Sequence, residues 1–130
     1  MEHTENRSIF KQVAEFQTEI LNNPVKAKPV QNLTTLYKTN TPVFIAEELA
    51  ELQAALNEDD LPETLDALID LMYFAAGAIH SLGVDGDEAF RRVHSANMTK
   101  KAGIKPTRGL NGDATKPEGW TPPGLHDLFE

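Results

Sequence analysis

The stretch from Glu63 to Gly83, ETLDALIDLMYFAAGAIHSLG, constrains the fold more than any other part of this 130-residue chain. Its apolar residues recur at steps of three and four, which is the period of an α-helix and predicts a long central helix. Glu63, Asp66 and Asp70 follow the same period, so they lie on one side of that helix. Carboxylates on an apolar helix are costly unless a lysine or arginine, water or a metal ion meets them. The apolar positions are Leu65, Leu68, Ile69, Met72, Ala76 and Ile79.

A second acid-bearing helix precedes the central one. Thr41-Pro42 offers a capping hydroxyl and a proline in the first turn, which predicts a helix to about Asn57. Asp60 and Pro62 predict the start of the central helix in the same way. Because so few residues link the two helices, we expect antiparallel neighbours whose acids face one another. These acids are Glu47, Glu48 and Glu51 on the first helix and Glu63, Asp66 and Asp70 on the second.

The N-terminal third of the chain contains one further helix and a loop. Ser8 can cap a helix that runs to about Asn22. Residues 24–40 are predicted to be mostly loop, because Pro29 prevents a regular helix through that point. A short helix at 31–37 is the exception that we expect within this loop.

The C-terminal part begins with a helix and ends irregularly. Gly83 ends the central helix, and Asp85 with Glu88 forms a capping box for a fourth helix that ends before Gly103. Frequent prolines and glycines exclude regular structure in the tail. We expect this tail to lie over another surface, because a disordered tail rarely carries a tryptophan such as Trp120.

These elements together predict an all-α protein. We expect a single domain over residues 1–130. Its helical core, at about 8–102, is a bundle of four main helices. The tail at 103–130 is extended and rich in proline and glycine.

The composition argues against several classes of protein. The chain has no cysteine, so it can hold neither a disulfide nor a thiolate zinc site, and we expect it in the cytoplasm. A net charge of −8 argues against a nucleic-acid polymer as partner. The most apolar run, Leu71–Ile79, is too short to cross a membrane, and the N-terminus lacks the pattern of a signal peptide. We therefore expect no membrane partner.

The facing acids offer only oxygen ligands. Such ligands suit Mg²⁺ or Mn²⁺ rather than zinc, and those ions keep positions open for water and substrate phosphates. The chemistry that follows is attack of metal-activated water on a phosphate. Each acid also has a structural explanation. Glu63 can complete a capping box with Asp60, Glu47 can be a solvated surface acid, and Asp66 and Asp70 can form salt bridges between helices.

The sequence resembles the all-α nucleoside triphosphate pyrophosphohydrolases, which include the MazG-like enzymes and relatives of the phosphoribosyl-ATP pyrophosphohydrolase type. The signature of that family is EExxE, a spacer and then ExxD. Glu47-Glu48-x-x-Glu51 matches the first half and Glu63-x-x-Asp66 the second. The resembling segments are EELAEL at 47–52, the stretch at 63–85, HSANMTKK at 94–101 and KPEGWTPP at 116–123.

A second alignment of the same motif is open. It places Asp70 at the family aspartate and leaves Ala67 where a glutamate is expected. Asp70 is therefore expected to be either a ligand or an acid that supports the ligands.

The resemblance implies a metal-dependent enzyme that cleaves a (d)NTP between its α and β phosphates to give (d)NMP and pyrophosphate. It implies that Glu47 orients or deprotonates the attacking water. It also implies that the loop at 24–40, with Lys26, Lys28 and Lys38, and Phe16-Gln17 on the first helix shape the base pocket. The implied metal ligands are Glu48, Glu51, Glu63, Asp66 and Asp70, and the implied phosphate or sugar contacts are Asn97, Lys100 and Lys101.

The resemblance also implies a homodimer or homotetramer with its active site near the subunit contact. No residue specifies the base, and we take a deoxypurine triphosphate such as dGTP as the working substrate. An alternative is a non-catalytic acidic helical module, with an interaction or regulatory role, whose acids form salt bridges with a partner. A di-iron carboxylate bundle is disfavoured, because neither His80 nor His94 has a glutamate three residues before it.

Overall fold

The computed structural model describes residues 6–103 and 113–130, and within these it is mainly helical. Five α-helices, four of them long, accompany one two-stranded sheet, which confirms the predicted all-α class. The chain divides into two compact units: Met1–Gly86 together with Phe129, and Asp87–Leu128 together with Glu130. The elements are α1 (Ile9–Glu19), α2 (Thr34–Lys38), α3 (Thr41–Asn57), α4 (Leu61–Leu82), α5 (Gly86–Asn97), β1 (Lys101–Gly103), β2 (Asp113–Thr115) and a 3-10 helix (His126–Phe129).

The helices α3 and α4 pack against each other as a hairpin joined by residues 58–60. Asp60 caps α4, because its side chain accepts a hydrogen bond from the Glu63 backbone N–H at 3.0 Å. At the other end Gly83 adopts φ 74°, in the left-handed region that favours glycine. Both predicted limits of α4 are confirmed, and the short link makes the two helices antiparallel.

The predicted start of α1 is confirmed and its predicted end is wrong. Ser8 is the N-cap, but the helix stops at Glu19 rather than at about Asn22. Asn22 has φ 54°, and the Asn23 N–H donates back to the Gln17 carbonyl at 2.8 Å. This hydrogen bond spans six residues instead of the four of an α-helix, so the helix ends here and the loop begins.

The N-cap of α3 is Asn40, not Thr41 as predicted. Asn40 has φ 54° and makes no capping hydrogen bond with its side chain. The Thr41 hydroxyl instead lies 3.0 Å from the hydroxyl of Thr39. Pro42 stands in the first turn as predicted, and the expected short helix in the preceding loop is α2.

The second unit contains structure that the sequence reasoning missed. α5 ends at Asn97, earlier than the predicted limit just before Gly103, and β1 pairs with β2 in antiparallel fashion. Gly103 is needed for this pairing, because a Cβ there would meet the Thr115 Cγ2 at 2.8 Å. The rest of the tail is irregular apart from the 3-10 helix, and the part of the tail prediction at 104–112 lies outside the described residues.

The core of the first unit consists of small residues. Val13, Ala55, Ala67 and Ala76 are its buried apolar residues. Small side chains let the helices approach closely, and at Gly77 an added Cβ would meet the Gln17 Nε2 at 2.7 Å.

The large apolar residues of α4 do not fill a core within the chain. Leu65, Ile69 and Met72 are 61%, 48% and 47% exposed, so these members of the predicted apolar stripe are not buried within a single chain. By length and composition α4 is also able to cross a membrane, a test that core helices of other proteins pass as well.

Candidate active site

The α3–α4 hairpin brings three carboxylates together. Glu48 and Glu51 lie one turn apart on α3, and Asp70 is on α4. One oxygen of each lies within 4.8 Å of the other two. Glu48 and Asp70 are half-buried, whereas Glu51 is exposed. We call Glu48, Glu51 and Asp70 the acid cluster.

Burial and mutual repulsion disfavour the ionised form of the two half-buried carboxylates in the acid cluster. Burial raises the pKa of Glu48, and the neighbouring Glu51, Asp70 and Asp66 raise it further. Burial also raises the pKa of Asp70, with Asp66 and Glu51 adding to the effect. Either a proton or a cation relieves this repulsion.

The acid cluster fits a hard divalent cation. The Oε2 atom of Glu48 is buried and has no hydrogen-bond partner among the described residues. A buried carboxylate oxygen without a donor is costly, and a metal ion removes that cost by accepting its lone pair. The donors are all carboxylate oxygens, which Mg²⁺ and Mn²⁺ prefer.

Three other predicted acids, Asp66, Glu63 and Glu47, do not belong to the acid cluster. Asp66 is near enough to raise the pKa of both Glu48 and Asp70, but its side chain is exposed. Glu63 is exposed in the first turn of α4, where its backbone N–H binds the capping residue. Glu47 is exposed on α3.

The predicted substrate-binding residues are divided between the two units. Lys38 is the exposed last residue of α2, in the first unit. Asn97, exposed at the end of α5, belongs to the second unit, as do Lys100 and Lys101. The Lys100 Nζ lies 5.1 Å from the centre of the Trp120 ring.

An aromatic cavity that the sequence reasoning missed lies one helical turn from the acid cluster. Phe44 precedes Glu48 by four residues and Phe74 follows Asp70 by four, so each aromatic ring shares a helix face with a clustered acid. The two rings stack with centroids 5.6 Å apart and planes 13° from parallel. The four-residue spacing on each helix was the signal that could have located them.

The cavity beside these rings is partly polar. Its volume is about 140 Å³, and Gln17, expected in the base pocket, is part of its lining. Phe16, expected there as well, instead packs edge-to-face on Tyr73 with centroids 5.4 Å apart. The lining residues are Gln17, Leu21, Thr39, Thr41, Phe44, Phe74, Gly77, Ala78 and Ser81.

An all-α unit with a carboxylate cluster suited to a hard cation is typical of helical phosphohydrolases. The family model of phosphoribosyl-ATP pyrophosphohydrolase matches residues 13–97, so the chain belongs to that family, within the MazG-like all-α NTP pyrophosphohydrolase superfamily. This confirms the resemblance and makes the chain a pyrophosphohydrolase by family. No curated protein matches the chain. The matched range includes the whole acid cluster and ends before Lys100.

Proposed function

We propose that the protein is a metal-dependent (d)NTP pyrophosphohydrolase that cleaves between the α and β phosphates to release (d)NMP and pyrophosphate. The observation that carries the proposal is the acid cluster, in which the buried Oε2 of Glu48 has no hydrogen-bond partner within the described part of the chain. Membership of a pyrophosphohydrolase family supports the reaction type.

Glu48, Glu51 and Asp70 would hold Mg²⁺ or Mn²⁺. When bound, such an ion neutralises phosphate charge and lowers the pKa of water. Asp66 adds negative charge beside the cluster, which favours cation binding, and Glu63 is a further candidate ligand near the start of the same helix. Glu47, exposed on the same helix as Glu48, is the candidate for orienting the attacking water and accepting its proton.

The aromatic cavity would receive the nucleoside part of the substrate. Its stacked Phe44 and Phe74 offer apolar surface for a base or sugar, and the Gln17 amide offers both a donor and an acceptor. The cavity lies one turn from the acid cluster along both helices, as a nucleoside attached to a bound phosphate requires. We take a deoxypurine triphosphate such as dGTP as the first substrate to test.

We further propose that the protein works as a homodimer or homotetramer. Along α4, Leu61, Leu65, Leu68 and Met72 form one exposed stripe at helical spacing, from 44% to 79% exposed. An apolar stripe of this kind marks a protein or membrane contact. Because Asp66 and Asp70 stand on the same helix, we favour a second copy of the chain over lipid.

The test is a product analysis. Each (d)NTP is incubated with the protein and Mg²⁺ or Mn²⁺, and the products are separated by anion-exchange chromatography. We expect (d)NMP and pyrophosphate, and no turnover when EDTA replaces the metal. Orthophosphate with a nucleoside diphosphate would move the cleavage site. No turnover with any nucleotide and either metal would instead favour a non-catalytic acidic interaction module.

A further inference from the structure

The segment KPEGW at 116–120 folds into a turn that fixes the position of the chain's single tryptophan. The Trp120 backbone N–H donates to the Pro117 carbonyl at 3.0 Å, and Gly119 takes φ 79°, a conformation that favours glycine. The indole Nε1 donates to the Ala96 carbonyl at 3.0 Å. The ring is therefore held against the last turn of α5, within the second unit.

Two lysine side chains converge on this ring. The Nζ atoms of Lys100 and Lys116 each lie 5.1 Å from the centre of the Trp120 indole. The sheet accounts for this placement, because Lys101 pairs with Thr115 and the two lysines are the residues just outside the strands at that end of the sheet. The sheet register and the tryptophan turn thus place two positive charges at one ring.

Neither ammonium group forms an ion pair in the described part of the chain. Two ammonium groups at one ring repel each other, and a cation–π contact offsets only part of the repulsion. Among residues 6–103 and 113–130, no carboxylate forms a salt bridge with Lys100 or Lys116. Both ammonium groups are therefore available to an anionic ligand.

We propose that Lys100, Lys116 and Trp120 form a binding site for a polyphosphate. Two ammonium groups at one ring suit a ligand with several anionic groups better than a single carboxylate, and lysine binds phosphate as a point charge. Trp120 is the positioning residue, and the lysines contact the anion. The site lies beyond the matched residues 13–97. The polyphosphate is the triphosphate of a substrate or free pyrophosphate, and this choice rests on the proposed function.

Trp120 is itself the reporter for the test, because its fluorescence responds to changes at the two ammonium groups. The full-length protein, in EDTA, is titrated with inorganic pyrophosphate by fluorescence and by calorimetry. We expect saturable binding that Lys116→Met weakens about tenfold. Lys116→Arg should retain most of the affinity. Lys11→Met, at an exposed position of α1, should bind pyrophosphate as the wild type does. Absence of saturable binding by both methods, or equal affinity in Lys116→Met, overturns the site.

A second titration separates the two sources of the ligand. An α,β-methylene nucleoside triphosphate that binds more tightly than pyrophosphate assigns the site to the substrate, and the reverse order assigns it to the product. Normal pyrophosphate binding without nucleotide hydrolysis in the wild type would contradict the proposed function alone. Hydrolysis without pyrophosphate binding would contradict this site alone.

Discussion

At the scale of single residues, Glu48 has the most unusual surroundings of the candidate site. It is half-buried, and one of its oxygens has no hydrogen-bond partner among the described residues. Burial raises its pKa, and its acidic neighbours raise it further. A structural carboxylate in such a place normally has a lysine or arginine as partner. The surroundings of Glu48 are instead those of a metal ligand that binds a cation from solution.

Removing one charge from the acid cluster should stabilise the metal-free protein. In EDTA, we expect Asp70→Asn to raise the melting temperature by about 2–4 °C, because it relieves repulsion with Asp66 and Glu51. Differential scanning calorimetry of the variant and wild type measures the difference. Glu58→Gln, an exposed acid in the α3–α4 turn, is the matched control and should change little. A destabilised Asp70→Asn protein would show that the cluster is not repulsive.

The ion pair between Arg92 and Asp127 gives a pH-dependent prediction in the second unit. Hydrogen bonds from Arg92, at 2.7 and 3.0 Å, lower the pKa of Asp127. A carboxyl whose pKa is lowered on folding contributes stability above its ordinary pKa and loses it as the pH falls through the lowered value. Asp127→Asn should therefore lower the denaturation midpoint at pH 7 but not at pH 2.

Urea denaturation followed by Trp120 fluorescence measures these midpoints, because Trp120 belongs to the same unit. Asp113→Asn is a poor control because Asp113 accepts a backbone hydrogen bond at 2.8 Å. Glu118→Gln, in the exposed turn beside the tryptophan, is a better one. An equal difference between wild type and Asp127→Asn at both pH values would show that the ion pair does not stabilise the unit.

At the scale of elements, the limits of α4 depend on two local signals. Asp60 caps the first turn, and Gly83 ends the last one in a left-handed conformation. An added Cβ at Gly83 would meet the Lys28 carbonyl oxygen at 3.0 Å and the Pro29 Cα at 3.2 Å. We expect Gly83→Ala to destabilise the protein by about 1–3 kcal/mol.

Gly124→Ala is the matched control for this substitution. A Cβ at Gly124 has no neighbour within 4 Å, and the backbone φ there is not positive. Its denaturation midpoint should stay close to that of the wild type. Equal midpoints for the two variants would contradict a requirement for glycine at position 83.

Local signals also explain which elements could be predicted from the sequence. Caps such as Asp60 and Ser8 act within one turn, so both were found. The end of α1 was missed because it involves Asn23, which binds Ser81 across the fold at 3.1 Å. β1 and β2 were missed because three-residue strands are defined by pairing with a distant segment.

The sequence named all three residues of the acid cluster among its candidate ligands, but it did not separate them from Glu63 and Asp66. Periodicity placed acids on facing sides of α3 and α4. It could not fix the rotation of one helix against the other, which selects Asp70 instead of Asp66 to approach Glu48 and Glu51. That rotation depends on the small residues at the helix contact, among them Ala55 and Ala67.

At the scale of the whole molecule, exposed apolar surface on α4 predicts assembly. Leu65 is 61% exposed in the single chain, so Leu65→Glu should leave the fold intact and weaken association between copies. Sedimentation velocity should show a dimer or tetramer for the wild type and smaller species for the variant. Val25→Glu, 70% exposed in a loop, is the control and should assemble normally. A monomeric wild type would contradict the proposed assembly.

The central claim is that the acid cluster carries the pyrophosphohydrolase reaction, and its most direct test compares two neighbouring aspartates. Initial rates of Mg²⁺-dependent (d)NTP hydrolysis are measured for the wild type, Asp70→Asn and Asp66→Asn. Because Asp70 belongs to the cluster and Asp66 only adds charge beside it, we predict at least about a hundredfold loss for Asp70→Asn and a smaller loss for Asp66→Asn. An Asp70→Asn enzyme that hydrolyses the nucleotide at the wild-type rate would contradict the account.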